Sequence, residues 1–151
     1  MMSVKSALFT LGLAASLLGG PLLASSAQAA ENTMAQSAKH KVVFQVSDND
    51  PGKWNLTLNN AFNVQMVLGK NDTEIEIVVY GPGINMLKMD SIVGNRIDQA
   101  EKSGIKVVAC ENTMHAQKLT KEDMLPDIGY VPGGVVEIMK REGEGWAYIR
   151  P

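Results

Sequence analysis

Three short runs dominated by β-branched residues punctuate this chain at wide spacing: KVVFQV (41–46), TEIEIVVY (73–80) and IKVVAC (105–110). Each is too short for a helix and has the composition of a strand. The stretches between them carry helical periodicity, so these strands are not hairpin partners. A strand–helix–strand order requires crossover connections, hence parallel pairing with helices laid on the sheet. The fold class expected is α/β, a three-layer α/β sandwich with a mostly parallel sheet of four or five strands.

The helical segments have readable ends. Asp50 before Pro51 has the pattern of an N-cap followed by proline in the first turn, and Gly69 is a stop signal. Within that helix Leu58, Ala61, Phe62, Gln65 and Met66 recur at helical spacing. GPG (81–83) turns the chain, and 84–89 reads as a short helical piece. Asp90–Gly104 reads as a helix with Ile92, Val93, Ile97 and Ala100 on one face. ENTMHAQKL (111–119) and TKEDML (120–125) read as two short helices, with Thr120 and Asp123 forming a near-capping box. Ile128–Pro132 is a short extended piece, Gly133–Arg141 the last helix and Gly145–Arg150 the closing strand.

The start of the chain follows another logic. Lys5, the apolar run ALFTLGLAASLL (7–18), the breakers Gly19-Gly20-Pro21 and then Ala27-Gln28-Ala29 have the order of a secretory signal peptide. Residues 1–29 are expected to be removed and 30–40 to form a flexible leader, leaving 41–151 as one domain. The apolar run falls short of the roughly 20 residues of a membrane span, so the reading includes no span after cleavage and a periplasmic or secreted product. Removing Lys5 takes the formal charge from −2 to −3. With no long basic run, nucleic acid and anionic lipid are poor partners.

An exported chain with one cysteine, Cys110, forms no internal disulfide. Cys110 ends the third strand, where ligands of parallel sheets gather, and a helix is expected to start just after it. Unpaired N–H groups there favour a thiolate, which can attack sulfur or carry it as a persulfide. A buried, inert thiol fits the same pattern. His115, five residues on, is a base or co-ligand only if it reaches back; His40, in the leader, has no assigned role. Cysteine, histidine and Met34, Met66, Met86, Met89, Met114, Met124 and Met139 outside the cytoplasm bring copper(I) into consideration. No Met-x-x-Met or Cys-x-x-Cys array accompanies them, most of the methionines fall at core spacing, and no metal site is assigned. DNDPG (48–52) opens like a calcium loop but has Asn59 where the bidentate glutamate belongs. No cofactor signature is present.

Taken in order, KVVFQVS, VVYGPGINML, GIKVVACENTM and VPGGVVEIMKREGEGWAYIRP resemble the DsrE/DsrF-like family of sulfur-relay-associated proteins over residues 41–151, here as an exported branch. The resemblance implies a compact three-layer α/β fold assembled as a homo-oligomer, a trimer or a hexamer. It also implies that Cys110 matches the cysteine that accepts and passes on sulfane sulfur from donor to acceptor proteins or small persulfides. Asn112 and Thr113 then become candidates to hold the anion, with Asn85 beside the GPG turn a further one and His115 an accessory. The rival readings are a non-catalytic oligomeric binding module with a structural cysteine, and a copper-binding protein.

Overall fold

The computed structural model describes residues 40–151. The residues read as a signal peptide (1–29), and all but the last of those read as a leader (30–40), lie outside the described residues. That last residue, His40, belongs to the first strand rather than to a leader. The strands are β1 (His40–Val46), β2 (Thr73–Val79), β3 (Lys106–Cys110), β4 (Gly129–Val131) and β5 (Ala147–Ile149); the helices are α1 (Pro51–Leu68), α2 (Gly94–Ser103), α3 (Glu111–Ala116) and α4 (Gly134–Gly143). A 3-10 stretch, Gly81–Leu87, replaces the short helix expected over 84–89.

All pairings are parallel, in the order β4-β3-β2-β1-β5. From β1 to β4 the chain steps steadily one way. Right-handed crossovers taken in one direction all fall on the same side of the sheet. Accordingly Val42, Phe44, Val46, Ile75, Ile77, Val79, Val107 and Ala109 meet Trp54, Leu58 and Ala61 of α1, Ile97 and Ala100 of α2, and Met114 of α3. The step from β4 to β5 runs back across the whole sheet, so the same handedness puts α4 on the opposite face. There Val43, Val78 and Val108 cluster with Ile138 of α4 and with Trp146.

Local chemistry explains the boundaries. The Asp50 carboxylate caps α1 by accepting from the N–H groups of Gly52 and Lys53, at 2.8 and 3.4 Å. The capping box closes as expected: the Thr120 N–H donates to the Asp123 carboxylate at 2.8 Å. Further expectations fail on the helices. Met66 is 76% exposed, because the buried stripe of α1 is Trp54, Thr57, Leu58 and Ala61, continued by Gln65, whose amide donates to Ser103 O at 3.0 Å. Met66 stands about 100° round the helix from Gln65. Ile92 is exposed too, and α2 begins at Gly94 rather than Asp90. Residues 87–89 are stitched to 123–125 by Met89 N–H to Asp123 O and Leu125 N–H to Leu87 O, which holds the chain extended there and delays the helix. No helix among the described residues is long and apolar enough to cross a membrane.

Candidate functional site

After β3 the chain leaves on one face through α3, and after β4 it leaves on the other through α4. The carboxyl ends of β3 and β4 are therefore the topological switch point of the sheet, where the connections diverge to opposite faces. Cys110 pairs with Val131 at this point. Its side chain shares a face with Val108, two residues earlier, and so points toward α4.

Three segments converge on the sulfur. Cys110 is the residue before α3, and the hydroxyl of Thr113 and the N–H groups of Thr113 and Asn112 reach it from that helix. The Gly134 N–H reaches it from the first turn of α4. The turn after β2 supports this arrangement: the Gly81 N–H donates to Thr113 Oγ1 at 2.9 Å, which leaves the Thr113 proton for the thiol. Gln117 also donates to the Gly81 carbonyl, at 3.3 Å. Burial pushes the Cys110 thiol up, but the hydrogen bonds from Thr113, Gly134 and Asn112 outweigh it and hold the thiol below its ordinary value. The Asn112 N–H contributes least of these, being shared with Pro132 O at 3.2 Å. Since α3 has only six residues, individual donors rather than a long helix dipole account for the effect.

Glycine makes the convergence feasible at two places. A Cβ on Gly134 would lie 2.9 Å from the Tyr80 side chain, and one on Gly83 would lie 2.7 Å from the Val46 carbonyl oxygen. Any larger residue at Gly134 would drive the start of α4 away from β2 and from the thiol. Beyond Tyr80 the polar rim continues along the strand ends. The Tyr80 hydroxyl is hydrogen-bonded to Ser47, Gln45 donates to Ser47 at 3.1 Å and Tyr148 donates to Gln45. Asp48 closes the rim with Lys53 at 2.9 Å and Arg150 at 3.3 Å.

The residues expected at the site divide accordingly. Cys110 and Thr113 are brought together. Asn112 is exposed at the rim and contributes through its backbone. Asn85 is half-buried in the 3-10 stretch and makes no hydrogen bond to Cys110 or its donors. His115 is exposed on α3 and is not joined to Cys110, and His40 starts β1 at the other end of the sheet. No group of three or more His, Cys, Asp and Glu side chains able to hold a metal occurs among the described residues. The methionines scatter: Met86, Met114 and Met124 are core, whereas Met66, Met89 and Met139 are exposed at separate places. Sequence reasoning missed Gly134 and Tyr80. The signal for the first was the glycine pair opening an amphipathic helix; for the second, a tyrosine at the carboxyl end of a strand. A cleft of about 420 Å³ lined by Gln65, Lys70, Lys106 and Trp146 opens at the amino-terminal edge of the sheet, remote from this chemistry.

A parallel α/β sandwich with a cysteine at its switch point, cradled by N–H groups from two helices, defines a class of small thiol-bearing proteins. Residues 40–151 match the DsrE/DsrF-like family, and the chain belongs to it. MTH1491, a protein of unknown function from Methanobacterium thermoautotrophicum, is similar in structure, with 34% sequence identity and a TM-score of 0.71 over 75% of this chain and 100% of its own. BT1422, a conserved protein of unknown function from Bacteroides thetaiotaomicron, shares the fold at 17% identity and a TM-score of 0.64, over 77% of this chain and 98% of its own. No curated protein matches the chain.

Proposed function

We propose that this chain is an exported sulfur carrier, or sulfurtransferase-like protein, that works through a persulfide on Cys110. The observation that carries the reading is the convergence of donors from α3 and α4 on one thiol at the sheet's switch point. A thiolate is the species that exchanges sulfur, and these donors favour it. The Cys110 thiolate attacks the outer sulfur of a donor persulfide, R–S–SH. The donor's S–S bond breaks, the donor leaves as R–S⁻, and Cys110 holds S–SH. An acceptor thiolate then attacks that outer sulfur, and Cys110 leaves as the thiolate. Each step exchanges one S–S bond for another and needs no external oxidant or reductant. Thr113 and the Gly134 and Asn112 N–H groups hold the anion in this scheme. Asn85 and His115 have no part in it.

The same proposal includes export and assembly. The order Lys5, apolar run, Ala27-Gln28-Ala29 supports a periplasmic or secreted product beginning at Ala30. Terminal sequencing of the secreted protein tests this, and a start at Met1 or Met2 defeats it. The exposed apolar side chains of α4 and β5 fit a homo-oligomer, a trimer before a hexamer.

One observation favours a second reading, a binding module with a structural cysteine: Cys110 is only 5% exposed. The test is the intact mass of native protein isolated without reductant, before and after exposure to polysulfide. The carrier gains the mass of one or more sulfur atoms, and Cys110→Ser gains none. A folded wild-type protein that takes up no sulfur leaves Cys110 as a packing residue.

A further inference from the structure

The donor furthest from Cys110 in sequence is the Gly134 N–H, and what keeps α4 in place decides whether that donor stays on the sulfur. Gly134, Ile138 and Arg141 recur at steps of four and three, which makes one stripe along α4. On β2, Glu76, Val78 and Tyr80 recur at steps of two, which makes one face of the strand. The two stripes meet in reverse order. Gly134 packs against the Tyr80 side chain, Ile138 and Val78 share the buried cluster, and Arg141 Nη2 lies 2.7 Å from Glu76 Oε2. The lengths agree, since seven helical residues rise about 10 Å and four strand residues about 13 Å.

The sheet holds α4 through this stripe on β2 and through further contacts with β1 and β5. The outward side of the helix shows Val135, Val136 and Met139, all exposed, and its N-terminus has no side-chain cap. At its carboxyl end Glu76 is 1% exposed in the middle of the sheet. The charged groups facing Glu76 are Arg141 and Glu137 from α4 and Lys106 from β3. Arg141 is also shared with Glu137 at 3.0 Å and Glu144 at 3.1 Å, and its guanidinium stacks on Trp146 at 4.7 Å. The pair is close but poorly aligned: both Glu76 oxygens and Arg141 Nε lack an aligned hydrogen-bond partner. Burying such a pair gives weak stabilisation, and hydrophobic residues of the same volume would do as well or better. What the pair supplies is register: of the carboxylates around Arg141, Glu76 is the one on the strand, so its guanidinium marks one position along β2 as an apolar side chain would not.

We propose that Glu76 and Arg141 are positioning residues for Cys110, fixing α4 on β2 in the register that keeps the Gly134 N–H on the sulfur. The proposal rests on the reading of Cys110 as the working thiol, and its test is chosen to separate the two. The pH dependence of native Cys110 alkylation by iodoacetamide is measured for wild type, Glu76→Gln and Arg141→Lys, each checked for a cooperative melting transition. Leu58→Ala, which weakens the other face of the sheet, serves as the destabilised control. Losing one hydrogen bond to the thiolate is expected to lower the thiolate fraction at neutral pH about tenfold, moving the titration upward. Glu76→Gln should show that shift, Arg141→Lys a smaller one in the same direction, and Leu58→Ala none. If Glu76→Gln does not fold, Arg141→Lys, which keeps the charge inside, carries the test alone. Folded variants that alkylate with the wild-type pH profile overturn the positioning role, as does an equal shift in Leu58→Ala. Wild-type protein that titrates low yet takes up no sulfur refutes the carrier reading and leaves this one standing.

Discussion

On one face of the sheet Phe44, Ile77 and Val107 are roofed by α1, α2, the 3-10 stretch and α3; on the other Val43, Val78 and Val108 meet one ten-residue helix and Trp146. The first face is apolar at its centre apart from Thr57 of α1, whose hydroxyl donates to Lys53 O at 2.8 Å. The second carries a buried glutamate at its centre, an arginine over it and the cysteine at its carboxyl end. Handedness produces this asymmetry, because three crossovers share a side and the long return from β4 to β5 takes the other. The well-roofed face can supply most of the stability, which leaves the thinly roofed one free to carry groups chosen for chemistry.

The largest effect that tests this division falls on the second face. Cys110→Ser should abolish persulfide formation and any sulfur transfer, while the melting temperature stays close to wild type. The side chains are nearly isosteric, and the hydroxyl can still accept from Gly134 and Thr113. An unfolded Cys110→Ser protein, with no sulfur uptake by wild type, would place the cysteine with the packing residues.

On the first face the expected effects are on stability alone. Leu58 is fully buried between α1 and the sheet, so Leu58→Ala should cost about 2–5 kcal/mol. Urea denaturation measures the loss, and sulfur uptake by the remaining folded protein should be unchanged. A proportional fall in uptake per folded molecule would mean that the two faces are coupled.

Much of the first face was legible from the residues, and much less of the second. Runs such as KVVFQV and IKVVAC show both strand character and burial, and Asp50-Pro51 marks a helix start by chemistry that needs no tertiary context. The core side of α1 was read correctly at Leu58 and Ala61 and wrongly at Met66, since periodicity shows that a stripe exists but not how wide it is. Cys110 could be placed because a strand end next to a polar run is a local signal. Its donor on α4 could not, because Gly134 comes to the sulfur only through the pairing of β4 with β3, which sets Val131 beside Cys110. Glu76 was hidden by distant sequence too. In TEIEIVVY it looks like a solvent-facing residue of an alternating strand, and its closest cation, Arg141, lies far along the chain.

A smaller effect tests how local the first-face signals are. Asp50 caps α1 through the Gly52 and Lys53 N–H groups, so Asp50→Ala should cost about 1 kcal/mol. The loss should be visible as a lower urea midpoint, with the thiol titration unmoved. A larger loss, or a shift in thiol reactivity, would mean that the start of α1 bears on the strand-end rim through neighbouring Asp48.

The smallest expected effect separates the faces by pH. Burial pushes the Glu76 carboxyl up, and Arg141 pulls it back only in part, so its folded value stays above the ordinary carboxylate range. The sign follows from proton linkage. Below the unfolded value of about 4.3 the group is protonated in both states, and its contribution is fully present. As pH rises through the higher folded value, the folded protein must give up a proton that it holds more tightly than the unfolded chain does, and that contribution is lost. Mild acidification should therefore stabilise wild type relative to Glu76→Gln, which has no such proton to bind. Glu101, whose carboxyl is also pushed up by burial, is present in both proteins and cancels in the difference. Urea midpoints of the pair between pH 7 and pH 5 measure the effect. A gap that stays constant with pH would mean that Arg141 fully compensates the burial of Glu76. A gap that moves the other way would mean that Arg141 overcompensates, and the second face would then be held by its ion pair as firmly as the first is by its core.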